Sequence, residues 1–217
     1  FDLNLDYANL DLNSLADKLK ANLRVVDLEY KYDKDFPALS KIDTNVTISG
    51  ASVEFLINQA YSSNSVLSGV MTFDWQGKDK SNFVFNDDAK GKVIDLIECI
   101  SNDNYDKVKK QGIDLKKITG QATSKIELII PINPNIKNSY NISTVMTGVN
   151  IKAFSDNIIL QNAKITGTFN GDKIHLIGTG KINNYDSDVS YQHYINDNNQ
   201  SDYNYLLNVK TKIIANK

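Results

Sequence analysis

Ala122-Thr123-Ser124-Lys125-Ile126-Glu127-Leu128-Ile129-Ile130-Pro131-Ile132 carries the pattern on which the fold turns. The even positions read Ala, Ser, Ile, Leu, Ile, Ile, and the odd ones read Thr, Lys and Glu, with Ile129 as the exception. A period of two places the apolar side chains on one face of a strand and the polar ones on the other. Turn signals follow at Pro131, Asn133-Pro134 and Lys137-Asn138-Ser139. A second run rich in Ile, Val and Thr spans Tyr140 to Ala153. A third ends at Phe169, where Asn170-Gly171 predicts a two-residue hairpin loop. A fourth begins at Lys173 and passes through Ile174 and Leu176 to Asn183. From Gly112 to Tyr194 the pattern predicts an antiparallel meander.

Upstream, Phe1 to Tyr7 alternates as a strand, and Asn13 to Leu19 has the composition of one or two helical turns. Val26, Leu28, Tyr30 and Tyr32 alternate with charged residues and predict a strand with those four on one side. Ile42–Ile48 and Val53–Ile57 flank Ser49-Gly50-Ala51-Ser52, a hairpin. Val66–Trp75 predicts a longer strand and Asn82–Phe85 a short one. Between Asp88 and Gly112 the period changes. Val93, Ile94, Ile97 and Ile100, with Leu96 beside them, fall on one helical stripe. A second short helix is expected over Tyr105–Lys110, capped at Gly112. After a polar loop, Tyr203, Tyr205, Leu207, Val209, Thr211 and Ile213 share one face of a last strand.

The predicted fold is mainly β: an antiparallel meander curled into an elongated open groove, with one short amphipathic helical insert at about 89–111. Strands of residues 1–88 precede the insert and those of 112–217 follow it, in one segment of a larger protein. The 217 residues suffice for a core. A net charge of -2 offers no electrostatic attraction to nucleic acid, which is not expected as a partner. A single cysteine precludes an internal disulfide framework.

Chemistry-bearing residues are sparse. His175 alternates with Ile174 and Leu176 and is expected to face solvent, and His193 also lies in a predicted strand. Cys99 sits beside the helical stripe with no histidine near it in sequence, and reads as a buried thiol. Gly178-Thr179-Gly180 lacks the third glycine and the following helix of a phosphate loop. Paired carboxylates occur at Asp87-Asp88 and at Asp186 with Asp188. The second pair, with Asn183 or Asn184, lacks the acidic twelfth position of a calcium loop and reads as turn chemistry. Asn45-Val46-Thr47 and Asn141-Ile142-Ser143 match the glycosylation sequon but fall inside predicted strands. No catalytic residue, metal ligand or cofactor is expected.

The apolar face remains to be accounted for. Ile126, Leu128 and Ile130 share a side, as do Ile165 and Phe169, Ile174 and Leu176, and Tyr205, Leu207 and Val209. These ten residues are expected to line a common concave surface, with Val93, Ile94, Ile97 and Ile100 plugging or capping one side. The alternative is a closed, filled core.

Gly112-Ile113-Asp114, Ile118-Thr119-Gly120-Gln121-Ala122, Leu128-Ile129-Ile130-Pro131-Ile132, Ile165-Thr166-Gly167, Leu176 to Asn183 and Val189-Ser190-Tyr191 occur in that order. This succession resembles the AsmA-like envelope proteins, most closely their YhdP-like branch, over about residues 22 to 194. Asn184-Tyr185 departs from the small residue and proline that such proteins often carry there. The resemblance implies a bridge-like lipid-transfer protein of a diderm bacterium, anchored in the inner membrane. Its β-groove would cross the periplasm and carry phospholipid between inner and outer membranes. It brings no catalytic residues. The alternative function is a β-sandwich-like binding or structural module of the cell envelope.

Overall fold

The computed structural model describes residues 19–31, 38–77, 80–98, 117–133, 135–153, 158–170, 173–194 and 205–212. These residues form one antiparallel sheet of 11 strands in which every strand pairs with its sequence neighbours. The strands are β1 (Lys20–Tyr30), β2 (Leu39–Ser49), β3 (Ser52–Ser62), β4 (Ser65–Asp74), β5 (Asn82–Lys92) and β6 (Thr119–Pro131). They continue as β7 (Ser139–Ala153), β8 (Ile158–Phe169), β9 (Lys173–Ile182), β10 (Tyr185–Tyr194) and β11 (Tyr205–Thr211). One helix, α1 (Val93–Glu98), follows β5. β1 and β11 do not pair, so the sheet is an open, curled meander rather than a barrel.

Short turns enforce this topology, because antiparallel neighbours need only a few residues between them. Gly50 takes φ 62° between β2 and β3, and Ser63 takes φ 53° between β3 and β4. Asn183 and Asn184, at φ 48° and 72°, make the primed turn between β9 and β10, the conformation for which short Asx side chains are suited. Between β8 and β9, Asn170 and Lys173 close the hairpin through Asn170 N–H to Lys173 O (3.2 Å) and Lys173 N–H to Asn170 Oδ1 (3.1 Å). Gly171 of the predicted loop lies outside the described residues.

Bulges bend the sheet. Asp27 (φ 57°), Lys41 (φ 49°), Gly148 (φ 62°) and Asn162 (φ 46°) are left-handed residues inside strands. The register shifts at or beside them. An extra residue in one strand of a pair kinks it and raises its twist, which curls a sheet this wide. The bulge in β1 also corrects the predicted alternation. Val25 pairs with Thr44 and Leu28 with Ile42, so three residues separate positions that share a face. Val26 falls on the other side and is 60% exposed.

The helical insert is later in the chain than predicted. Residues 86–90 pair with both β4 and β6, and Gly91 and Lys92 with β6, so β5 runs to Lys92 and is not the short strand ending at Phe85. Only Val93–Glu98 is helical among the described residues. The predicted elements over 1–7, 13–18 and 105–110 lie outside them. Helix α1 packs against β5 and β6. There Val93 and Leu96 join Ala89, Ile118, Ala122, Val149, Leu160, Ala163 and Ile165 in a buried cluster, with Ile94 against it. The alanines at positions 89, 122 and 163 leave room for the helix to sit close to the strands.

This cluster sets the first prediction. Val93→Asp places an unpaired charge in the most tightly covered part of the sheet and should lower unfolding free energy by about 3 kcal/mol or more. An unchanged urea midpoint would show that α1 is not seated there.

Candidate functional site

Directly opposed residues in an antiparallel ladder point to the same face, so the register states which side chains share a surface. One row can be followed across all 11 strands. It begins with Val25, Thr44, Ile57 and Gly69 on β1 to β4. Asp87, Ile126, Ile142 and Phe169 continue it on β5 to β8. Ile174, His193 and Tyr205 complete it. A parallel row carries Phe55, Met71, Phe85, Leu128 and Tyr140. On the other side of the first, Gly167, Leu176, Tyr191 and Leu207 follow one another.

All ten residues predicted to line an apolar surface therefore stand at register positions of one face of one sheet, the side chain of Tyr205 lying outside the described ones. Their cover differs. Ile165 and Phe169 are buried, Phe169 at 7% exposure. Ile126, Leu128, Ile130, Ile174 and Leu176 are half-buried. Leu207 and Val209 are exposed, at 44% each. Of the four predicted helix residues, Val93 and Ile94 reach the sheet cluster. The side chain of Ile97 and all of Ile100 lie outside the described residues.

No second sheet faces this surface among the described residues. Aromatic side chains gather toward the end of the face away from α1. Phe73 stacks on Phe83 with ring centroids 4.6 Å apart, and Tyr140 meets Phe169 at 4.9 Å. Two inward hydroxyls bond locally, whereas the buried Oγ of Ser65 has no partner among the described residues. Ser124 bonds Thr144 at 2.9 Å, and Thr44 Oγ1 donates to Leu56 O at 3.0 Å. The opposite face is mainly polar, with Leu56, Ile129, Val145 and Ile177 exposed on it. Lys125 stands across from Asp88, and Asn141 donates to Glu127 at 3.2 Å. His175 lies on that polar face between Thr168 and Gln192, as expected. A shallow polar depression at the β8–β11 end is lined by Lys164, Lys181, Lys210, Lys212, Asp186 and Asp188. Of the residues read as turn chemistry, Asn183 and Asn184 form the turn beside it, whereas Asp186 and Asp188 stand in the strand β10.

Asp87 was not singled out from its neighbour in the sequence. In the strand the two acids diverge: Asp88 faces outward, and Asp87 enters the apolar row between Gly69 and Ile126. Its Oδ1 is shielded from solvent and has no hydrogen-bond partner. Gly69 makes room for it, since a Cβ there would collide with that oxygen and with the Asn86 carbonyl. The signal was present as Phe83-x-Phe85-x-Asp87-x-Ala89, an alternating set with one acid in it. Burial first, and the charge of Asp88 second, push the Asp87 carboxyl up to about 6.

Comparison with protein-family models, with curated proteins and with solved structures found no match.

The raised Asp87 group has a defined consequence for stability. Between its ordinary 3.8 and about 6, the folded protein holds a proton that the unfolded chain releases. Its contribution is thus full below 3.8, declines as pH rises, and is lost above about 6. Asp87→Asn removes this dependence. Relative to the parent it should gain on the order of 2–3 kcal/mol at pH 7.5 and little at pH 3.5. Equal urea midpoints for the two proteins at pH 7.5 would contradict the buried, unpaired placement.

Proposed function

We propose that this chain is a non-enzymatic lipid-transport module. In this proposal phospholipid acyl chains travel along the apolar face between the inner and outer membranes of a diderm bacterium. The chain acts as the periplasmic segment of an inner-membrane-anchored protein. The observation that carries the proposal is the continuous, half-covered apolar face. It spans 11 strands and has no second sheet over it among the described residues. At about 4.8 Å per strand spacing such a face is about 50 Å wide, which exceeds the patches that monomeric soluble proteins commonly leave open. Acyl chains would gain about 25 cal/mol per Å² of apolar surface removed from water. A succession of similar side chains, none of them uniquely required, suits sliding better than capture in one pose. The ordered motifs that resemble AsmA-like proteins support the same reading. The alternative, a β-sandwich-like envelope module, needs a second sheet packed on this face.

A charge on the face distinguishes a lipid surface from a filled core. Leu128→Asp and Leu207→Asp should remain folded, because water reaches half-covered and exposed positions, while phospholipid recovered by mass spectrometry and transfer between vesicles fall at least several-fold. Circular dichroism melts run on the same samples separate unfolding from lost binding. Folded variants with undiminished bound lipid and transfer would overturn the proposal.

A further inference from the structure

Asp87 is costly where it stands. A carboxylate on an apolar floor, with one oxygen sealed and unpartnered, gains nothing from its surroundings. The groups around it supply no counter-charge. On β4 it faces Gly69, with Met71 and Leu67 on the diagonals. On β6 it faces Ile126, with Leu128 and Ser124 on the diagonals. Phe85 and Ala89 flank it along β5, and Asp88 points to the other face. Lys125 and Glu127 of β6 also point to the other face, opposite Asp88 and Asn86. The ionisable residues of α1, the helix packed against β5 and β6, are Asp95 and Glu98, which are acids as well.

The two directions along β5 are unlike. Beyond Ala89 the face is covered by α1 through Val93 and Leu96. In the other direction it is aromatic and half-open, through Phe85 and Phe83 with Phe73 stacked on it. From Asp87 to Phe83 the strand covers four residues, about 13 Å. An apolar track thus ends at an unpaired acid beside a plug that carries a second one, since Oδ2 of Asp95 in α1 is also buried without a partner.

We propose that Asp87 is a head-group site for an amphiphile bearing a primary ammonium, with its hydrocarbon tail laid along Phe85 and Phe83. This inference rests on the apolar face being a lipid surface, and it adds which class of lipid that surface selects. An ammonium supplies the missing donor and neutralises the carboxylate. An anionic head is repelled, and an uncharged hydroxyl supplies a weaker bond. Gly69 lets the carboxylate lie close against β4, where a Cβ would collide with Oδ1.

The test is calorimetric titration of the protein with decylammonium chloride, decanol and methylammonium chloride, all below micelle formation, at pH 7.5. The expected result is decylammonium binding about tenfold tighter than decanol. In Asp87→Asn that preference should collapse to near equality, and in the parent it should shrink at pH 5, where Asp87 takes up its proton. A preference that survives Asp87→Asn overturns the assignment, as does equal affinity for the two probes in the parent. Methylammonium binding as strongly as decylammonium overturns the role of the tail. Failure of both decyl probes to bind overturns the lipid-surface proposal itself.

Discussion

In an antiparallel ladder, two residues that face each other across the backbone hydrogen bonds must present their side chains on the same side of the sheet. Most of this structure depends on that constraint. The apolar residues of each strand are only a local alternation until the ladder joins them. Once joined, Val25 on the first strand and Tyr205 on the last belong to one row. A slip of one residue at any pairing would turn a whole strand's apolar set into water, so a large half-covered face also holds the register in place.

Such a face is expensive unless something lies on it. The chain's own cover is partial: α1 and the small residues beneath it seal one region, around Ala89, Ala122, Val149 and Ala163. Elsewhere Leu128, Ile130 and Leu176 remain half-exposed. The bulges at Asp27, Lys41, Gly148 and Asn162 curl the sheet without closing it, leaving β1 and β11 unpaired with each other. Under the proposed function, a wide and incompletely covered apolar surface would receive a mobile hydrocarbon ligand, and that ligand's ammonium would meet the acid stranded at Asp87.

Local sequence determined which segments are strands, where several turns fall and which residues share a side within a strand. Ile126, Leu128 and Ile130 show this, as do Tyr205, Leu207 and Val209, because a period of two is written directly in the order of residues. The Asn183-Asn184 turn was legible for the same reason: side-chain preference for positive φ is a property of the residue itself. Three things depended on contacts distant in sequence. Val26 and Leu28 part company because β2 accepts a bulge in β1, which strict alternation cannot express. Residues 88–92 stay extended because β6 offers all of them ladder partners and β4 pairs as far as Lys90, so the helix begins only at Val93. The place of Asp87 as the acid of an apolar row, with its carboxyl raised by burial, required β4 and β6 to be set beside its own strand. Burial and charge environment are properties of the neighbours, and only the folded sheet decides who those are.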